Sequence, residues 1–197
     1  TLSGTAVPRD YVEFPSQINE HCALDPLILK NYAIHYSTQQ VIPQPLIDKI
    51  KKAETFNKGY EVTELLAAAT LDLAWHSVQN VDELKPTLQF EQEALKKVGL
   101  LVNEVPTRYH TPYFAHIWGG GYSASYYAYT WSKVLDYNAY DWFQANGGMT
   151  RKNGERFRKY ILSVGNSVDL NQAFKTFVGH DMEVGPYLKN AGLTEKE

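Results

Sequence analysis

The residues best suited to chemistry lie between His116 and Trp131, where the chain reads HIWGGGYSASYYAYTW. Three consecutive glycines let the backbone approach a ligand closely, because glycine lacks the Cβ atom that restricts φ and ψ. The tyrosines that follow combine an apolar ring with a hydroxyl that donates hydrogen bonds. This combination indicates a surface that binds a polar, peptide-like group. The alternative is a kinked helix start with ordinary aromatic packing, because aromatic stripes at helical spacing usually belong to a core.

The six histidines make a metal site the next candidate. A self-contained zinc peptidase site typically uses HExxH, which places two imidazoles on one helix face beside a glutamate base. The chain contains no such motif. His76 lies four residues after Asp72, but this spacing supplies only one imidazole. For His21, His35 and His76, packing or hydrogen bonding is therefore favoured over metal binding.

Composition excludes several other classes of function. No serine stands in a GxSxG motif, and the glycines at 119–121 lack both the GxGxxG pattern and the lysine of a nucleotide loop. A net charge of −3 and a pI near 6.1 provide no basic field for nucleic acid. No apolar run is long enough to predict a membrane partner. The single cysteine, Cys22, excludes an internal disulfide and favours a cytoplasmic location over a periplasmic one.

The elements that must position these groups are predicted to be helices, because apolar residues recur at helical spacing and no convincing run alternates with period two. We therefore predict an all-α, multi-helical chain that forms one helical domain over residues 1–197. Residues 60–78 are apolar around most of the helix circumference and form the best candidate for a buried central helix. Other helices are expected to begin near Asp10, Pro26, Pro43 or Pro45, Phe90, Ser123, Ala139, Thr150, Asp169 and Val184.

Two long motifs favour a functional role for the glycine and tyrosine segment over ordinary aromatic packing. GTAVPRDYVEFPSQINEH at 4–21 and YFAHIWGGGYSASYYAYTW at 113–131 resemble zinc metallopeptidases of the thimet oligopeptidase family, and most closely its bacterial peptidyl-dipeptidase branch. The resemblance continues through 56–76 and 147–170, so it covers nearly the whole chain. It implies the C-terminal portion of a zincin-like helical peptidase that releases C-terminal dipeptides from short oligopeptides.

The resemblance also assigns roles to individual residues. Glu13 matches the third zinc ligand, although its spacing from Asp10 alone would favour a helix-capping carboxylate. His116, Tyr122 and Tyr129 match residues that contact the substrate and stabilise the tetrahedral intermediate. A phenol or imidazole placed beside the peptide carbonyl can donate a hydrogen bond to the developing oxyanion.

Substrate binding is expected from the same segment. The resemblance gives Gly119, Gly120 and Gly121 the role of a mobile loop that binds the peptide through its backbone. Tyr126 precedes Tyr129 by one turn and is expected to line the same channel. The sequence does not identify the residue that binds the free carboxylate of the substrate, because nothing in it selects between arginines such as Arg108 and Arg151.

In this family HExxH precedes the segment that begins this chain, so we expect the chain to belong to a larger catalytic domain. Zinc is then expected in the parent enzyme but not tightly bound by this chain alone, since Glu13 would be one ligand without its two imidazoles. The expected partners are short peptides and the N-terminal part of the same enzyme. Apolar surface that normally faces that part would favour self-association.

Two alternatives come from other classes. The first is a helical peptide-binding module that uses the glycine and tyrosine segment without hydrolysis. The second is an active zinc hydrolase with an unusual site. It is disfavoured because no two of its histidines have the spacing that places two zinc ligands on one helix face. That site would combine Glu13 with some of His21, His110, His116 and His180.

Overall fold

The computed structural model describes residues 2, 3 and 5–194, and within these ranges the chain is helical without a β-strand. This confirms the predicted all-α class. None of the helices in these ranges is long and apolar enough to cross a membrane. The α-helices are α1 Arg9–Val12, α2 Phe14–Ala23, α3 Pro26–Tyr32, α4 Gln44–Ala53, α5 Lys58–His76, α6 Thr87–Lys97, α7 Ala115–Trp118, α8 Ala128–Ala145, α9 Arg151–Phe157, α10 Leu170–Val178 and α11 Gly185–Asn190.

The chain divides into two compact units. The first unit joins the residues up to Phe56 with those from Ser132 onward, and the second unit runs from Asn57 to Trp131. The chain passes from one unit to the other twice, first just before α5 and then within α8. The expectation of one helical domain stays a prediction.

Aromatic side chains hold the first unit together. Phe14, fully buried at the start of α2, meets Phe157 of α9 and Phe174 of α10 edge-on, with ring centroids 5.8 and 5.7 Å apart. Edge-to-face pairs of this kind add about 0.5–1.5 kcal/mol to the stabilisation from burial. Tyr11 of α1 lies 5.5 Å from Phe14. The residues on both sides of Glu13 are therefore fixed by the core.

Helix α5 is the base of the second unit and confirms the predicted central helix within two residues at each end. Its middle is buried because Ala67, Ala68 and Ala69 carry side chains small enough for other elements to pack closely against it. Ala68 and Ala69 join an apolar cluster with residues that precede and follow the glycine loop. Those residues are Phe114, Ile117 and Tyr126.

Two helices begin close to the predicted residues, and each has a capping side chain at its start. The Thr150 side chain accepts a hydrogen bond from the Asn153 amide at the start of α9. The Asp169 side chain accepts one from the Gln172 amide at the start of α10. Each acceptor satisfies a backbone amide that the first helical turn leaves without an intrahelical partner.

Two predicted helix boundaries are wrong. Asp10 does not cap the first helix, since α1 begins at Arg9 and Asp10 lies within its first turn. Separate helices from Ser123 and Ala139 are also not observed, because residues 128–145 form the single helix α8. Asn138 is accommodated inside α8 because its side-chain amide donates to the Val134 carbonyl one turn earlier.

Candidate active site

Four residues that the sequence assigns to substrate and transition state form one cluster in the second unit. His116 is half-buried on α7, and its ring centroid lies 6.0 Å from that of Tyr122, 5.5 Å from Tyr126 and 6.2 Å from Tyr129. The rings of Tyr122 and Tyr129 are stacked at 5.0 Å. Sequence neighbours on a short turn and a helix start are thus brought into mutual contact. The prediction that they act on a substrate is not tested by this geometry.

The tyrosines of the cluster differ in burial. Tyr126 is 4% exposed and packs against Phe114, whereas Tyr129 is only partly buried. Burial, together with the nearby Tyr109 phenol, raises the pKa of Tyr126 to about 12, although Arg108 opposes this shift. The phenol therefore keeps its proton throughout the physiological range and remains a hydrogen-bond donor.

The glycine loop follows α7 directly. The Gly119 and Gly120 amides both donate to the Ala115 carbonyl, and the Tyr122 amide donates to the His116 carbonyl. Gly121 has a φ of +81°, which favours glycine. An open cavity of about 610 Å³ lies beside the loop. Gly119, Gly120, His116 and the exposed ring of Trp118 line it. Residues predicted to bind peptide therefore border a concave surface.

Gly120 has no room for a side chain. A Cβ atom at this position would lie 2.8 Å from the His116 Cα and 3.1 Å from the Ala115 carbonyl oxygen. We expect Gly120→Ala to destabilise the chain by about 1–3 kcal/mol, as overpacking against backbone usually does. Urea unfolding followed by circular dichroism measures this difference.

Gly119 supplies the matched control for that substitution. A Cβ atom there meets nothing within 4 Å, so Gly119→Ala should leave the free energy of unfolding almost unchanged. Equal destabilisation by the two substitutions would contradict close packing of the loop against α7.

A buried carboxylate holds the chain that leads into α7. Glu91 on α6 is 3% exposed and accepts hydrogen bonds from the His110 Nδ1 atom at 2.7 Å and the Thr111 amide at 2.6 Å. Burial raises the pKa of the Glu91 carboxyl, but the hydrogen bonds from His110 and Thr111 outweigh it and leave that pKa below its ordinary value. The ionised carboxylate is therefore favoured in the folded chain.

The lowered pKa of Glu91 predicts a pH-dependent contribution to stability. Because the folded-state pKa lies below the unfolded value of about 4.3, the contribution is complete above that value and is lost as the pH falls through the folded-state pKa. Glu91→Gln should lower the free energy of unfolding near neutral pH by about 1–3 kcal/mol, since a buried donor loses its partner. Urea unfolding of both proteins across the acidic range should show this difference shrinking.

Glu93, two residues further along α6, serves as the control. Its carboxylate is exposed and pairs with Lys85 at the surface, where ion pairs stabilise little. Glu93→Gln should leave the free energy of unfolding nearly unchanged. A Glu91→Gln effect that persists unchanged below the folded-state pKa would exclude ionisation as its cause.

Glu13 lies in the first unit, at the junction between α1 and α2. Its carboxylate oxygen Oε2 and its backbone carbonyl both accept from the Ser16 hydroxyl at 2.9 Å. Because Pro8 is the N-cap of α1 and Glu13 is its C-cap, the predicted capping box of Asp10 and Glu13 is wrong, and the Glu13 side chain makes no capping hydrogen bond at the start of α2. Ser16 instead orients a half-buried carboxylate.

The Glu13 carboxylate is chemically suited to be one ligand of a zinc ion. Carboxylate oxygens bind Zn²⁺ in proteins, and a hydrolytic site combines one carboxylate with two imidazoles. Across residues 2, 3 and 5–194, no three His, Cys, Asp or Glu side chains are grouped so as to hold a metal ion. The chemistry of the Glu13 carboxylate fits one position of such a site, and its role as a zinc ligand stays a prediction.

The other histidines named for a metal site have different partners. His21 stacks on Tyr140 at 4.2 Å between ring centroids, and its Nε2 atom lies 2.7 Å from the fully buried carboxylate of Asp136. His110 bonds to Glu91, and His180 contacts the Asp181 carbonyl. The contacts of these three histidines are packing and hydrogen-bonding contacts.

Sequence reasoning missed two buried carboxylates that anchor the candidate site. Glu91 has just been described, and Asp72 on α5 is fully buried and accepts from the Ala124 and Tyr126 amides. The available signal was an acidic residue on an apolar helix face, since such groups are rarely buried without partners. The backbone amides that they accept from lie 20 to 54 residues away and leave no local pattern.

Comparison with known proteins places these features in a wider group. Residues 1–193 match the model of peptidase family M3. The chain is 48% identical over 193 residues to a dipeptidyl carboxypeptidase of Salmonella typhimurium and 47% identical over 193 residues to one of Escherichia coli. It is 32% identical over 190 residues to oligopeptidase A of Salmonella typhimurium.

These alignments include nearly all of this chain but a smaller share of each relative. They cover 98% of the chain for both dipeptidyl carboxypeptidases and 96% for oligopeptidase A. In each case they cover 28% of the relative. The chain therefore spans little more than a quarter of the length of these relatives.

Proposed function

The chain belongs to peptidase family M3, and from this membership we propose that it contributes the tyrosine-bearing part of a peptidyl-dipeptidase active site. The intact enzyme would release dipeptides from the C-terminus of short oligopeptides. The observation that supports this proposal most directly is that His116, which lines the glycine-bordered cavity, has Tyr122 and Tyr129 packed around its ring. Hydrogen-bond donors and a concave backbone surface suit the binding of a peptide carbonyl.

Each residue would act through its own chemistry. The Tyr129 phenol, partly exposed, would donate to the carbonyl oxygen as negative charge develops on it, and Tyr122 stacks against it and limits its rotation. His116 would supply a second polar contact. Tyr126, almost fully buried, would shape the wall of the substrate channel. Gly119, Gly120 and Gly121 would bind the peptide through backbone groups other than the Gly119 and Gly120 amides, which donate to the Ala115 carbonyl.

The family is zinc-dependent in general. Glu13 would hold the ion together with two histidines of an HExxH motif in polypeptide outside these 197 residues, and the glutamate of that motif would serve as the general base. When bound, zinc would supply Lewis acidity and an activated water. Ser16 would keep the Glu13 carboxylate oriented. The chain alone should then neither bind zinc tightly nor cleave peptides.

A hybrid enzyme tests this proposal. This chain would replace the matching segment of the Escherichia coli dipeptidyl carboxypeptidase, to which it is 47% identical. We expect the hybrid to retain zinc and to release dipeptides from an oligopeptide with a blocked N-terminus. Product masses identify the cleaved bond, and the parent Escherichia coli enzyme is the positive control.

The outcomes separate the proposal from its alternative. A hybrid that is folded by circular dichroism, holds zinc and binds the peptide without cutting it would contradict the proposal. That result would favour a peptide-binding module. Zinc bound tightly by the isolated chain, with cleavage, would instead mean that the chain builds a complete site by itself.

A further inference from the structure

Asp72 is a fully buried acid that the proposed function leaves without a role. It lies on α5 and is 0% exposed. Burying an ionised carboxylate is costly unless hydrogen bonds and an opposite charge replace the lost hydration. Its partners therefore indicate what the buried charge stabilises.

Those partners lie in the turn between the glycine loop and α8. The Ala124 amide donates to Asp72 Oδ1 at 2.9 Å, and the Tyr126 amide donates to Oδ2 at 2.7 Å. The His76 Nδ1 atom lies 2.8 Å from Oδ1, one helical turn further along α5. Both oxygens of the carboxylate are thus engaged, and two of the three contacts are with backbone more than 50 residues away.

The backbone held by Asp72 is strained. Ala124 has a φ of +53°, a left-handed conformation that a residue with a Cβ adopts only at a cost in energy. Such a conformation persists where the surroundings fix it. The carboxylate does so by accepting the amide of Ala124 itself and that of Tyr126.

We propose that Asp72 is a positioning residue that sets the placement of the Tyr122, Tyr126 and Tyr129 phenols by fixing the turn between them. Ala124 stands midway between Tyr122 and Tyr126, and Tyr129 follows in the first turn of α8. Since the ring of Tyr122 stacks on that of Tyr129, a change in the turn moves both rings. This role for catalysis rests on the proposed function, whereas the anchoring of the turn does not.

Glu91 gives the segment a second anchor. It holds Thr111 before α7, while Asp72 holds Ala124 after the glycine loop. The two carboxylates come from different helices and leave Gly119–Gly121 between the anchored points. The backbone is therefore fixed on both sides of the glycine loop.

The first test uses isotope-labelled chain and NMR. In Asp72→Asn, we expect the Ala124 and Tyr126 amides to exchange with solvent about 10- to 100-fold faster, because a charge-assisted hydrogen bond to each is weakened. The ring signals of Tyr122 and Tyr129 should also shift, since their stacking geometry changes. Unchanged exchange at both amides, or unchanged ring signals, would overturn the proposal.

Asp136→Asn is the matched control. Asp136 is also fully buried and also pairs with a histidine, but it belongs to the first unit. It should leave the Tyr122 and Tyr129 signals in place. The same ring shifts in both variants would show general destabilisation and overturn the proposal.

A milder variant covers the case in which Asp72→Asn does not fold. His76→Gln keeps the carboxylate and removes the imidazole that contacts both Asp72 Oδ1 and the Ala124 amide. It should accelerate exchange at the same two amides by a smaller factor. No acceleration there, with Asp72→Asn unfolded, would assign Asp72 to folding alone and overturn the positioning role.

The hybrid enzyme supplies the catalytic readout. There Asp72→Asn should lower kcat by about 100-fold with little change in KM, as expected when reacting groups are misplaced by about 1 Å. A rise in KM with unchanged kcat would contradict the positioning role. Failure of the unsubstituted hybrid to cleave peptides would count against the proposed function, while the NMR result still decides whether Asp72 anchors the turn.

Discussion

Tyr129→Phe should lower kcat of the hybrid enzyme by about 100- to 1000-fold, which corresponds to about 2.7–4 kcal/mol of lost transition-state stabilisation. The substitution removes one hydroxyl and keeps the ring that stacks on Tyr122 at 5.0 Å. Folding and peptide binding should therefore be preserved. The measurement is steady-state hydrolysis of a blocked oligopeptide, with kcat and KM determined separately. A loss confined to kcat identifies a hydrogen bond made only in the transition state.

Tyr127→Phe is the matched control for this prediction. Tyr127 lies two residues earlier, is 36% exposed and has no place in the proposed machinery. It should leave kcat and KM close to those of the unsubstituted hybrid. Equal losses in the two variants, or a Tyr129→Phe variant with full kcat, would remove Tyr129 from the proposed mechanism.

Tyr122→Phe would show whether the hydroxyls of both stacked tyrosines contribute to kcat. Tyr122 is 9% exposed, so its ring is more deeply packed than that of Tyr129. If Tyr122 mainly restrains Tyr129, the ring alone is sufficient and kcat changes little. This comparison assigns the hydroxyl that matters without altering the shape of the cluster.

The sequence predicted the helices of this chain well where local signals are strong. Thr150 and Asp169 begin helices as capping residues, and the apolar face over residues 60–78 corresponds to α5. These features depend on neighbours within a few residues along the chain. Local propensity and spacing are therefore sufficient to place them.

Prediction failed where a distant group decides the local conformation. The segment after Ser123 has helical spacing, yet it stays in turns until α8 begins at Ala128. The buried carboxylate of Asp72 accepts the Ala124 and Tyr126 amides there. No local pattern announces a partner more than 50 residues earlier in the chain.

The candidate site was recognised from residue types more than from spacing. His116, Tyr122 and Tyr129 come together as the glycine and tyrosine motif suggests, but their roles depend on the resemblance to a family. Glu13 shows the same limit. Its spacing indicates a helix cap, which the structure does not contain, whereas its proposed role as a ligand depends on groups outside the described residues.

Glu13→Gln should abolish stoichiometric zinc in the hybrid enzyme and, with it, peptide hydrolysis. Glutamine keeps the size of the side chain but replaces an anionic oxygen donor by a neutral amide, which is a poor zinc ligand. Removing a partner that only orients a ligand typically weakens metal affinity by about 10- to 100-fold, so loss of the ligand itself should exceed that range. Elemental analysis after dialysis, followed by zinc titration, measures the affinity.

Two further variants give the prediction a graded scale. Ser16→Ala removes the hydroxyl that contacts the Glu13 carboxylate and should reduce zinc affinity by about 10-fold, less than Glu13→Gln does. Glu20→Gln changes an exposed carboxylate on the same helix, paired with Lys133, and should leave zinc content unchanged. Full zinc occupancy in Glu13→Gln would exclude Glu13 as a ligand. Equal losses in Glu13→Gln and Glu20→Gln would point instead to a general effect of negative charge on α2.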